Sequence, residues 1–162
     1  MKNSLKTLAA VVIAALTLSL TGCTKDAEDL IIGSWEETSV TITSVVSGYT
    51  GEYAEWNGTH TETETPEAGE SVVLTFNKDN TMSSVQNYEG GTYTTSGTYT
   101  VDGNKLTMTI SDSDGDTYTE AYNIDNIDKK AMTLSFNESY TDTEDGQNAQ
   151  VSVTMVINLT RK

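Results

Sequence analysis

GTYTVDGNKLTMTI, residues Gly97–Ile110, decides the fold. Tyr99 and Val101 alternate with threonines, and Leu106, Met108 and Ile110 do the same after Asp102-Gly103. Alternation with a period of two puts one face of a strand in a core and the other in water. Asp102-Gly103 suits a type I′ turn, whose positive φ angles match the twist of the strands it joins. A two-residue loop there sets Tyr99 opposite Leu106 and keeps the apolar side chains on one face. An unbulged three-residue loop would divide them between faces.

The same grammar extends in both directions. Val72, Leu74 and Phe76 alternate ahead of a turn at Asn77–Thr81, and a weakly patterned strand covers Met82–Tyr88. Glu89-Gly90-Gly91 turns into Thr92–Val101, where Gly97 marks a bulge or a close approach. Asp112–Asp116 joins the hairpin to a strand carrying Tyr118, Glu120, Tyr122 and Ile124. A turn over Asp125–Lys130 leads to Met132, Leu134 and Phe136. Asn137–Gln150 reads as an acidic loop, followed by Val151, Val153, Met155, Ile157 and Leu159, with Arg161 on the same face.

Upstream, Leu30–Trp35 opens the domain, and Val40, Ile42 and Val46 continue its first strand. Trp35 has the opposite parity to these, so a bulge or kink is expected between them. Ser47–Glu70, closed by Pro66, has two readings: an extended hairpin arm, which is favoured, or an aromatic lid formed by Tyr49, Tyr53 and Trp56. Eight strands with short connections leave two exposed edges unless the sheet closes on itself. The expected fold is therefore all-β, an eight-stranded antiparallel up-and-down barrel, with an open sandwich as the alternative.

The 162 residues suit one domain and carry a formal charge of −15, from 9 Lys and Arg against 24 Asp and Glu. Such acidity excludes nucleic acid and anionic lipid headgroups as expected partners. Lys2 and Lys6 precede an apolar run, Leu8–Leu20. At 1.5 Å per residue this run spans roughly 20 Å, short of the ~30 Å hydrocarbon core, so a helical signal peptide over residues 1–22 is expected rather than a membrane span. Leu20-Thr21-Gly22-Cys23 resembles the lipobox of bacterial lipoproteins. That resemblance implies an acylated Cys23 at the start of a tether over residues 23–29, ahead of a barrel domain over 30–162. Two or three acyl chains bind a bilayer in effect permanently, so the membrane is an expected partner through Cys23. The acidic Thr24–Asp29 resembles a short signal that sends some Gram-negative lipoproteins to the cell surface. The expected location is thus the outer membrane, at its periplasmic face or outside.

LIIGSW, VVLTFNKDNTM, SGTYTVDGNKLTMTI and the closing INLTRK together resemble the small lipocalin-like lipoproteins of Gram-negative bacteria. The likeness covers Leu30 to the C-terminus apart from the Ser47–Glu70 insert. It implies a barrel and small-ligand binding, and structural roles for Gly33, Trp35 and Arg161, the arginine stacking on the indole that closes the narrow end.

Few residues carry recognisable chemistry. His60, the one histidine, stands beside no serine or cysteine motif, and there is no Cys/His cluster for zinc and no Gly-rich phosphate loop. A non-enzymatic protein without a cofactor is expected. Asp112, Asp114 and Asp116 are weak candidates for Ca²⁺, since a bidentate glutamate at the proper spacing is missing; a charged hairpin tip is the favoured reading. Glu120 is expected to point inward between Tyr118 and Tyr122, where it orients a ligand, accepts a bond from a tyrosine or sits at a wet mouth. Two functions follow. In the first, a small apolar or amphiphilic molecule occupies a cavity lined by Tyr99, Tyr118, Tyr122 and Phe136. In the second, the barrel is solid and Tyr49, Tyr53 and Trp56 meet glycan or protein at the cell surface.

Overall fold

The computed structural model describes residues 24–111 and 115–162. The signal peptide, the lipidation site Cys23, and Asp112 and Asp114 lie outside the described residues. Helix α1 (Thr24–Ile31) leads into strands β1 (Gly33–Ser47), β2 (Gly58–Glu64), β3 (Ser71–Phe76), β4 (Thr81–Tyr88) and β5 (Gly91–Asp102). After these come β6 (Lys105–Ser111), β7 (Thr117–Ile127), β8 (Ala131–Glu144) and β9 (Gln147–Arg161). Strands β3 to β9 follow one another in an antiparallel meander, and β9 returns to pair with β1. β1 and β3–β9 therefore close as an eight-stranded barrel, while β2 lies outside the ring against β1.

The central hairpin forms with its apolar faces together, but its turn sits one residue later than expected. Asp102 pairs with Lys105 and Tyr99 with Met108, not with Leu106. Parity survives because the loop, now Gly103-Asn104, still has two residues. Of these two only Gly103 has a positive φ, 63°, which matches the glycine-first II′ arrangement rather than I′. Tyr99, Leu106, Met108 and Ile110 are all buried. The expected bulge in β1 falls between Glu37 and Ser39, and it brings both Trp35 and the Val40–Val46 series to the inner face. Gly97 is a close approach and not a bulge: its pairing is continuous on both sides, and a Cβ there would collide with the carbonyl oxygen of Thr109.

Three expectations are corrected. Asn137–Gln150 is not a loop, because β8 and β9 continue through it to a tight turn at Asp145-Gly146, φ 47° and 78°. Along Asn137–Glu144 side chains exposed on both faces leave no apolar period to read, and the ladder is supported instead by polar pairs such as Ser139–Ser152 at 2.9 Å and Thr154–Asn137 at 2.8 Å. The turn expected over Asp125–Lys130 shrinks to Asp128–Lys130, since β7 runs on to Ile127 past a bulge between Ile124 and Asn126. Finally, Thr24–Asp29, read as a tether, belongs to α1, which packs Ala27 and the fully buried Ile31 against the core.

α1 closes one end of the barrel, where the turns β3–β4, β5–β6 and β7–β8 also meet and bond to their neighbours. There the Arg161 guanidinium lies 4.2 Å over the Trp35 ring, and Trp35 Nε1 donates to Ile31 O at 2.7 Å. Arg161 also donates to the carbonyl oxygens of Ile32, at 2.8 Å, and Leu30. Gly33 has φ 132°, and a Cβ on it would overlap Arg161 Nη1. The three structural residues named from sequence thus form one plug. Stacking a guanidinium on indole contributes ~0.5–2 kcal/mol.

The other end is open. The β7–β8 ladder stops at Asn123/Ser135 and the β1–β3 ladder at Glu36/Val73. Beyond those rungs the wall divides in two. One part is a four-stranded arm, β2-β1-β9-β8; the other is the upper half of β3–β7. The hairpin-arm reading of Ser47–Glu70 holds, with β2 paired along Val40–Val46 of β1.

Candidate functional site

The arm carries the inner face of the barrel out into solvent. Residues directly opposed in an antiparallel ladder share a face, so the register orders this surface into rows. Leu134, Ile157, Val40 and Glu64 form the row nearest the core, followed by Phe136, Met155, Ile42 and Glu62. Glu138, Val153, Ser44 and His60 come next, then Tyr140, Val151, Val46 and Gly58. Leu134 is 1% exposed and Ile42 38%. Exposure does not rise evenly outward: Phe136, Met155 and Val153 are partly buried, and Val151 in the outermost row is 5% exposed. Glu37, opposite buried Leu159, also faces inward at the base of the strip. Its burial, with the negative charge of Glu64 in second place, pushes its carboxyl above the usual carboxylate range.

Glu120 is on the inner face as expected, opposite Met108, and it accepts a bond from Tyr122 Oη at 2.9 Å. Burial, the charge of Glu120 and this bond together push the Tyr122 phenol well above its ordinary value. Tyr118 stands at the rim, 43% exposed, and Phe136 lies 6.2 Å from Tyr122, ring to ring. Tyr118, Glu120, Tyr122 and Phe136 thus gather toward the opening. Tyr99 does not join them: its ring is edge-on to Phe76 at 4.9 Å and its hydroxyl donates to Asn77 O at 2.9 Å, at the closed end. A cavity of about 350 Å³ opens there, lined by Tyr99, α1 residues Glu28 and Asp29, and Lys78 and Asn80 of the β3–β4 turn.

Tyr49, Tyr53 and Trp56 form a cluster at the arm tip, on and beside a 3-10 helix, Gly51–Trp56. Ring centroids lie 4.9 to 6.0 Å apart. The cluster clasps the β8–β9 turn: Tyr49 Oη donates to Asp142 at 2.8 Å, Tyr53 Oη to Asp145, and the Thr50 amide to Gln147 at 2.9 Å. These bonds all run to the arm, and Asp142 shares the face of Phe136 and Tyr140. Tyr49 is buried and Trp56 is 44% exposed. His60 bonds to the Trp56 carbonyl oxygen at 3.0 Å, which is a role within the arm. Asp116 is described and Asp112 and Asp114 are not; among the described residues no group of acidic, His or Cys side chains could hold a metal ion.

The bond to Asp142, followed by burial, pushes the Tyr49 phenol up from 10.0 to about 12. A proton held more tightly in the folded state stabilises it fully below the unfolded value and ceases to as pH rises through the folded one. The denaturation midpoint should therefore hold steady up to about pH 10 and fall as pH approaches 12. Tyr49→Phe should flatten part of that fall, and equal slopes for the two proteins would refute the clasp.

Sequence reasoning placed Ile42, Val153 and Met155 on apolar faces without assigning them to the site, and it missed Glu37. Parity would have found Glu37 once the bulge lay between Glu37 and Ser39. The lipocalin-like domain family matches residues 31–134. Among solved structures, a lipocalin-like protein from Bacteroides uniformis ATCC 8492 is similar at 15% identity over 75% of this chain and 96% of its own, with a TM-score of 0.42. An uncharacterized protein from Bacteroides eggerthii DSM 20697 is similar at 11% identity over 82% of this chain and 99% of its own, TM-score 0.45. A polyisoprenoid binding domain from Saccharophagus degradans is similar at 9% identity over 79% and 98%, TM-score 0.35. A search of curated proteins finds no match. The family match spans well over half of the residues, and the chain belongs to the lipocalin-like domain family.

Proposed function

We propose that this chain is a non-enzymatic binding protein, held at the outer membrane by acyl chains on Cys23, whose open barrel end takes a small apolar or amphiphilic molecule. One observation carries the reading: the inner face continues past the core as a half-exposed apolar strip, Phe136, Met155, Ile42 and Val153, while the opposite end is plugged. Fully burying one such side chain is worth ~1.5–3 kcal/mol. Completing the burial of three or four half-exposed ones therefore supplies roughly 3–6 kcal/mol before the costs of association. Association itself costs ~4–15 kcal/mol, so this burial alone does not hold a ligand and polar contacts must add the rest.

A neutral solvatochromic dye should bind the protein, and Ile42→Glu, at an exposed position, should weaken it about tenfold by setting a charge in the strip. Undiminished dye binding by that variant would refute the site. No dye binding at all would favour the second reading, an interaction module meeting glycan or protein through the exposed Trp56 at the arm tip. For the anchor, Cys23→Ala should yield a soluble or uncleaved precursor. Fatty-acid label still entering the variant would overturn that part.

A further inference from the structure

Charge is distributed along the barrel axis in a way its total does not reveal. Among the residues whose side chains are described, Lys78, Lys105, Lys129, Lys130, Arg161 and Lys162 all belong to the closed end, on its turns or beside the C-terminus. No lysine or arginine among them lies on the arm or on the upper halves of β3–β7. Carboxylates border the apolar strip on both sides. Glu62 and Glu64 on β2 face inward beside Ile42 and Val40, Glu138 on β8 faces inward beside Val153, and Glu37 rises from the base. The ion pair among the described residues, Lys162–Glu36 at 2.9 Å, lies at the closed end and reaches none of these four.

We propose that the molecule held at the open end is a cationic amphiphile, with an apolar body along Phe136, Met155, Ile42 and Val153 and an ammonium or guanidinium group between Glu37 and Glu64. This rests on the reading that the open end binds an amphiphile, and it names the class. Complementarity decides the sign. An anionic head group would bring its charge among like charges with no lysine or arginine to meet it, in a partly desolvated site where screening is weaker than in bulk water. A cation there relieves the mutual repulsion of Glu37 and Glu64. Behind burial, the charge of Glu64 adds to the raised proton affinity of Glu37, so the two carboxyls sense one another across the base of the strip.

The test uses the full chain in zwitterionic nanodiscs, with empty discs as the blank, and three short-chain probes with a common octyl body: octyltrimethylammonium, octanol and octanoate. The ammonium probe should bind at least about tenfold more tightly than octanol, with octanoate weakest. Raising the salt should narrow the gap. Glu37→Gln combined with Glu64→Gln should remove about tenfold of the ammonium affinity and leave octanol binding unchanged, which also reports that the variant is folded. Equal binding of all three probes, tighter octanoate, or an ammonium affinity indifferent to the double substitution overturns the charge assignment while leaving an amphiphile site in place. Failure of all three probes to bind overturns the amphiphile reading itself.

Discussion

Trp35→Ala is expected to remove about 3–5 kcal/mol of stability, the range for deleting a fully buried large aromatic side chain. The indole is 0% exposed and does three things at once. It fills the closed end, donates to Ile31 O and supports the Arg161 guanidinium. Its loss opens a cavity, frees a buried carbonyl and leaves the part-buried Arg161 cation, whose Nε already lacks a hydrogen-bond partner, without the ring it lies over. Domains are typically stable by ~5–15 kcal/mol, so the variant should sit near the edge of folding. Urea denaturation would show a midpoint far below that of the parent with an unchanged slope. A shift equivalent to less than ~1 kcal/mol would mean that the plug is not the keystone of the closed end.

Gly97→Val should be as damaging for a different reason. Gly97 sits between Met82 on β4 and Ile110 on β6, in extended backbone that any residue can adopt. The difficulty is space. A Cβ would overlap the Thr109 carbonyl oxygen and lie 2.9 Å from its carbon and 3.0 Å from Ile110 Cα. These are backbone atoms and cannot rotate away, so β5 and β6 must part. Overpacking costs ~1–3 kcal/mol even where side chains can adjust, and the branched side chain should exceed that range. Gly97→Ala should already cost about 2 kcal/mol. Parent-like thermal unfolding of Gly97→Val would show that the strands accommodate a side chain there.

The legible parts of the fold were those where one face is buried. Leu106, Met108 and Ile110, or Val72, Leu74 and Phe76, announce themselves because water on one side and core on the other enforce a period of two. The parity clash between Trp35 and Val40 was enough to place a bulge. Asn137–Glu144 was illegible because both its faces meet water, and only Asp145-Gly146 hinted at a hairpin. Thr24–Ile31 hid its Ala27/Ile31 spacing behind an acidic run. The inward orientation of Glu120, Tyr122 and Phe136 was legible from parity. Tyr99 was misplaced because alternation identifies a face and not a height along the barrel, and strand tilt sets the height. Glu37, Glu62 and Glu64 could not be paired with the apolar strip without knowing that β2 lies on β1.

The divided wall leaves stretches of backbone whose rungs are unfinished, along β2 and along β8 beyond Ser135. Such margins invite neighbouring molecules to zip together through their main chains. Here β2 bears Glu62 and Glu64, and β8 bears Glu138, Asp142 and Glu144. Two barrels approaching edge to edge must press these ionised groups against one another. The acid-rich composition thus works against edge-to-edge pairing at the very seams that its open architecture cannot seal.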